Sequence, residues 1–186
     1  MAGSAAQIAS QIEILQDTRK SFQERSAAAQ ELGVVGLDSD AAAQALVETI
    51  ENDSNPKVRA SAAQALGMVG LPQAAYIQTL IQTLQNDDSF EVRYAAAEGL
   101  RIIGVDSPSA KQALNNAAEN DSNAKVRRIA KEVYDQITSS NVGDADEEAN
   151  VGDADEGANV GDADEEANVA MRMKSQVSDP EVNQFR

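Results

Sequence analysis

The side chains of this chain that can take part in chemistry are carboxylates, guanidinium and ammonium groups, serine and threonine hydroxyls and three tyrosine hydroxyls; there is no Cys and no His. That composition excludes disulfides, thiol nucleophiles, imidazole bases and thiolate or imidazole metal sites. What remains is charge arranged by spacing. Arg25, Arg59, Arg93 and Arg127 recur every 34 residues, and Asp53, Asp87 and Asp121 follow the same interval. Such columns can form an ion- or phosphate-binding ladder, or they can bond to each other between neighbouring repeats and close their turns. One Asp and one Arg per repeat suits the second role, a structural ladder. No catalytic constellation, metal-ligand set or cofactor motif accompanies them.

Columns at a fixed period of a few tens of residues require a repeated element. Gly36, Gly70 and Gly104 keep the same period of 34, and between the markers apolar residues recur at helical spacing, as in Val58, Ala62, Leu66 and Val69. Pro56 suits a first helical turn, Asp53 and Ser54 are candidate caps, and Gly70 is a stop signal. These segments read as the second helix of each repeat. The first helices fall at about residues 4–16, 40–51, 73–85 and 108–119, where Leu46 and Ile50, then Leu80 and Leu84, lie four apart on one face. Neither helix of a pair can bury its apolar face alone, so the pairs must stack.

A period of 34 also belongs to tetratricopeptide repeats, but their Trp-containing pattern is absent. The core V-R-x-x-A-A-x-x-L-G, preceded by an Asp, resembles HEAT repeats over about residues 5–138, and most closely the short HEAT-like class named for phycobilisome lyases. The resemblance implies an all-α fold, a right-handed α-solenoid of four antiparallel helix pairs. It further implies a protein partner, with a phycobiliprotein as one option, and as an alternative activity a bilin lyase subunit or a phycobilisome disassembly factor. In that alternative Arg101 and Arg128 would face bilin propionates, and Tyr76, Tyr94 and Tyr134 supply the aromatic hydroxyls. Iron-dependent HEAT enzymes such as deoxyhypusine hydroxylase bind metal through His-Glu motifs, which this chain lacks.

HEAT-like solenoids commonly bind along the groove lined by their second helices. Three second-helix columns here are polar or variable: Ser26, Ala60, Tyr94 and Arg128; Gln30, Gln64, Glu98 and Glu132; Gly33, Gly67, Arg101 and Asp135. Steps of four and three place them on one face. The predicted protein-binding residues are Tyr94, Glu98, Arg101, Arg128, Glu132, Gln64 and Gln30, with Tyr94 and Arg101 foremost because an amphipathic Tyr beside an Arg is a frequent anchor. In the last repeat Lys131, Tyr134, Asp135 and Thr138 stand at the columns of Ala97, Leu100, Arg101 and Gly104, a polar unit such as a terminal cap requires.

The expected division is therefore a solenoid over residues 1–138 and a disordered tail over 139–186. The tail contains three acidic nine-residue units at 141–167, with 11 acids and no base, too polar to offset the entropy of ordering them. Their glycine and aspartate order departs from that of nonapeptide calcium rolls. Of the net charge of −16, the last 48 residues carry −10. Such acidity argues against nucleic acid as a partner, since phosphate neutralisation needs a basic face. The first ten residues lack a signal-like pattern, and no stretch approaches a membrane span of roughly 18 apolar residues. A soluble, cytoplasmic scaffold or adaptor is expected, acting as a monomer or within a hetero-complex.

Overall fold

The computed structural model describes residues 5–104 and 106–139, and within them every regular element is a helix. The acidic units at 141–167 and the remainder of the expected tail lie outside the described residues. Four first helices, α1 (Ala5–Gln16), α3 (Asp40–Asn52), α5 (Ala74–Asn86) and α7 (Pro108–Asn120), alternate with four second helices, α2 (Phe22–Val35), α4 (Pro56–Val69), α6 (Phe90–Ile103) and α8 (Ala124–Ser139). The last helix thus runs one residue past the boundary expected at 138.

Local signals set the helix ends. Ser21 and Glu24 form a reciprocal capping box at α2, Ser39 caps α3, and Ser107 caps α7 just ahead of Pro108. At α4 the N-cap is Asn55, whose side chain accepts from the Lys57 N–H; Asp53 instead follows the end of α3. This corrects the expected role of Asp53 and Ser54, because a side chain must sit immediately before the first helical residue to reach its free N–H groups. Gly70 and Gly104 end their helices with φ of 78° and 67°, a left-handed conformation suited to glycine. Gly36 keeps a negative φ and is needed for another reason: a Cβ there would stand 2.6 Å from that of Ala42.

The core consists of the same columns repeated. Val58, Val92 and Val126, then Leu32, Leu66 and Leu100, then Leu46, Leu80 and Leu114 are all at most 1% exposed, and the members of each set are one repeat apart. Thr49 and Thr83 are buried among them, and each hydroxyl is satisfied by the carbonyl four residues earlier at 2.8 Å. Between successive pairs the second helices carry Ala and Gly, and they touch each other far more extensively than the first helices do. The closest approach is at Gly67, where an added Cβ would lie 2.7 Å from both Cα and O of Gly99. A stack whose second helices are closer than its first helices bends toward the second-helix side and makes that layer concave.

Gly67→Ala is accordingly expected to destabilise the stack. The better helix propensity of Ala favours the variant by about 1 kcal/mol, whereas separating two backbones in a packed interface costs about 1–3 kcal/mol. A lowered urea midpoint is the expected result, and a raised midpoint would show that the two helices slide apart freely.

Candidate functional site

The arginine and aspartate columns meet as rungs between neighbouring helix pairs. Arg59 donates from Nε and Nη2 to the two oxygens of Asp87, each at 2.9 Å, and Arg93 does the same to Asp121 at 2.7 and 2.9 Å. The Nη1 of each arginine is anchored to a carbonyl of its own loop, that of Asp53 at 3.0 Å or Asp87 at 2.8 Å. Each aspartate in turn closes its loop, accepting from the N–H two residues on: Asn55, Ser89 and Asn123 at 2.8, 2.9 and 2.8 Å. These are charge-assisted bonds with little exposure, the aspartate side chains being 7–11% accessible. The bonds to Asp87 and Asp121 raise the pKa of Arg59 and Arg93. Burial of Asp121 acts upward, but the Arg93 bond, the Asn123 N–H and the nearby arginine charges outweigh it and hold the carboxyl below its ordinary value. With both carboxylate oxygens facing the guanidinium, the Arg59 and Arg93 forks have no free edge for a phosphate.

The two ends of the ladder differ from its middle. Arg25 meets Asp53 through Nη1, and its Nε is buried without a partner. The loop before α2 has five residues where the later ones have three, and the Arg25 guanidinium makes no bond to a carbonyl of that loop. Lacking that anchor, the guanidinium approaches end-on rather than side-on. A shallow cleft of about 310 Å³ opens beside it, bordered by Gln16, Glu48 and Asn52. Asp17 follows α1 as Asp53, Asp87 and Asp121 follow α3, α5 and α7, and it too accepts from the N–H two residues on, at 3.0 Å. Its fork is filled from within the same loop by Arg19, through Nε and Nη2 at 2.8 and 2.9 Å. The Arg19 bonds pull the half-buried Asp17 carboxyl down to about 2.

The concave layer presents the predicted binding residues. Gln30 and Gln64 are exposed; Tyr94 is half-buried and packs against the core. Arg101 is exposed, but its guanidinium is turned to Glu98, with Nη2 to Oε2 at 2.6 Å, rather than held beside Tyr94. Arg128 and Glu132 are both exposed and 3.6 Å apart, a pair of little strength in water. Gly33 and Gly67 do not belong to this face. They are buried where successive second helices touch, because a residue without a side chain is what allows the contact. A column passed over in the sequence completes the face: Val34, Met68 and Ile102, each four residues beyond Gln30, Gln64 and Glu98, with Val34 and Ile102 at 55% and 40% exposure.

The models for HEAT repeats match residues 8–77 and 74–135, each match spanning two of the four helix pairs. The chain belongs to the HEAT-repeat family. HEAT repeats are commonly protein-interaction scaffolds. No curated protein matches the chain, so the likeness to phycobilisome lyases rests on the HEAT residues alone. One feature of that likeness changes in the HEAT stack: Tyr76 is buried with its hydroxyl 3.3 Å from Asp40, and burial raises its pKa, so it is not a surface hydroxyl for a ligand. Tyr94 and Tyr134 remain half-exposed. Along the start of the second HEAT helices two cations sit over aromatic rings, Lys57 over Phe22 at 5.1 Å and Lys125 over Phe90 at 5.9 Å. No helix among the described residues is long and apolar enough to cross a membrane.

Two predictions test the rungs. Asp87→Ala removes the fork of Arg59 and the closure of its own loop together, and should cost about 2–4 kcal/mol by urea denaturation. The second concerns acid. Because the folded Asp121 carboxyl titrates below its unfolded value, its contribution is complete above about pH 4 and is lost as pH falls through the folded pKa. Stability measured from pH 7 downward should therefore fall below about pH 4, and Asp121→Asn, although less stable at pH 7, should show a shallower fall. Parallel acid limbs in the two proteins would remove Asp121 from the account.

Proposed function

We propose that the chain is a non-catalytic scaffold or adaptor that binds a protein partner along the concave layer of second helices. The observation that carries this reading is the combination on one face of an apolar column, Val34, Met68 and Ile102, with a hydrogen-bonding column, Gln30, Gln64, Glu98 and Glu132. Apolar side chains in register over three repeats offer a continuous strip for a partner's apolar side chains, and the adjoining amides and carboxylates give direction to its polar ones. Tyr94 and Arg101 stand on the same face of α6 as Glu98 and Ile102, seven residues apart. Binding of a partner that can displace Glu98 from Arg101 frees the guanidinium without moving the backbone.

The test is retention of a partner from extract of the native cell by the immobilised chain, compared between variants of equal helicity and melting temperature. Val34→Lys with Ile102→Lys, and separately Tyr94→Ala, should each reduce retention at least about tenfold, as loss of central interface anchors does. Gln78→Lys with Gln82→Lys, on the exposed side of α5, should leave it unchanged. The reverse pattern, with loss confined to the α5 variant, would move the binding surface to the first helices.

A further inference from the structure

The ladder is left open at one end. Arg127 of α8 is anchored as Arg59 and Arg93 are, with Nη1 donating to the carbonyls of Asp121 at 2.8 Å and Ser122 at 3.2 Å. In Arg59 and Arg93 the same anchorage turns the Nε/Nη2 edge to a carboxylate of the next helix pair. Among the described residues no carboxylate meets that edge of Arg127, and neither of its nitrogens is among the buried unpartnered atoms. The opposite end of the stack is closed, since Arg19 fills the Asp17 fork from its own loop. Among the described residues each aspartate of the series has its arginine, and Arg127 has no aspartate.

The surroundings favour negative charge. Residues 124–131 of α8 contain Lys125, Arg127, Arg128 and Lys131 and no acid, in a chain whose net charge is −16. Lys125 is held over Phe90. The first turn of α8 adds the positive end of the helix dipole. The outward face of this helix carries Lys131, bonded to Asp135 at 2.9 Å, where the preceding repeat has the buried Ala97. Another helix pair would have to cover that charged pair, whereas an extended segment need not.

We infer that the open edge of Arg127, on the basic first half of α8, is a binding site for an acidic peptide segment of a partner, one Asp or Glu carboxylate taking the place that Asp87 and Asp121 take on the preceding rungs. The carboxylate receives two parallel N–H bonds from Nε and Nη2, and neighbouring acids of the segment face Lys125 and Arg128. A single exposed pair is weak in water, so the site selects segments with several acids and loosens as salt screens them. This surface meets the concave layer at Arg128, and the fork of Arg127 does not depend on the apolar strip.

The test uses the full chain with ¹⁵N-arginine and a blocked hexa-aspartate peptide at low ionic strength. The Nε–Hε resonance of Arg127 should shift saturably, and further than that of Arg128. Arg127→Lys keeps the charge but loses the fork, and should weaken binding about tenfold, against about twofold for Arg128→Lys. Arg127→Lys also retains a donor for the loop carbonyls, and its melting temperature reports whether the fold is kept. An Arg127 resonance that does not move, or equal losses for the two variants, overturns the site and reduces the helix to a diffuse basic patch.

Discussion

A guanidinium has two usable edges, and the structure of this chain depends on both being engaged at once. In Arg59 and Arg93 the Nη1 end holds a loop carbonyl of the helix pair to which the arginine belongs, and the Nε/Nη2 edge grips the aspartate that begins the loop of the next. One side chain therefore shapes its own loop and sets the position of the following pair. A lysine, with a point charge and no planar fork, cannot do both in fixed geometry. Where the first of the two engagements is missing, at Arg25, the second degrades as well: the contact to Asp53 becomes end-on and a buried nitrogen is left without a partner.

The rungs lie at the loops, and the distance they impose is matched in the body of the stack by small residues. Ala63, Ala65, Gly67 and Gly99 let the second helices come nearly backbone to backbone. Because the first helices touch one another less extensively, the two layers have unequal spacing, and curvature follows from that inequality. The side chains pointing away from the close contacts, Gln30, Val34, Gln64, Glu98 and Ile102, are consequently gathered on the inside of the bend. The residues that make the stack compact and those that form its candidate binding face alternate along the same helices.

Much of this was legible in the sequence because a repeated core repeats its letters. The Val, Ala and Leu columns fixed the helices, and the Arg and Asp columns fixed which residues could pair. The engaged edge and the carbonyl anchor were not legible, since they depend on side-chain rotamers and loop geometry. Asp17 escaped because a loop two residues longer shifts it out of the 34-residue register; a helix-ending amide followed by Asp, as in Gln16-Asp17, Asn52-Asp53 and Asn86-Asp87, was the sign that could have found it. Gly33 and Gly67 were placed on the binding face because glycine carries no polarity by which to tell a surface from an interior. Val34, Met68 and Ile102 were passed over for the opposite reason: apolar residues at helical spacing read as core, and only the position of the helix ends exposes them.

The closed loop at the start of the stack also bears on how such an array can change length. An internal helix pair carries one arginine for the pair after it and one aspartate for the pair before it, so a duplicated internal unit arrives with both halves of the joint it needs. A unit added ahead of α1 would find Asp17 already engaged by Arg19, and its own arginine would have to displace a neighbour that is always at hand. Growth by insertion is thus chemically neutral at the joints while growth at the front is not. The two-residue extension that brings Arg19 within reach of Asp17 sets this first pair apart from the interchangeable units that follow it.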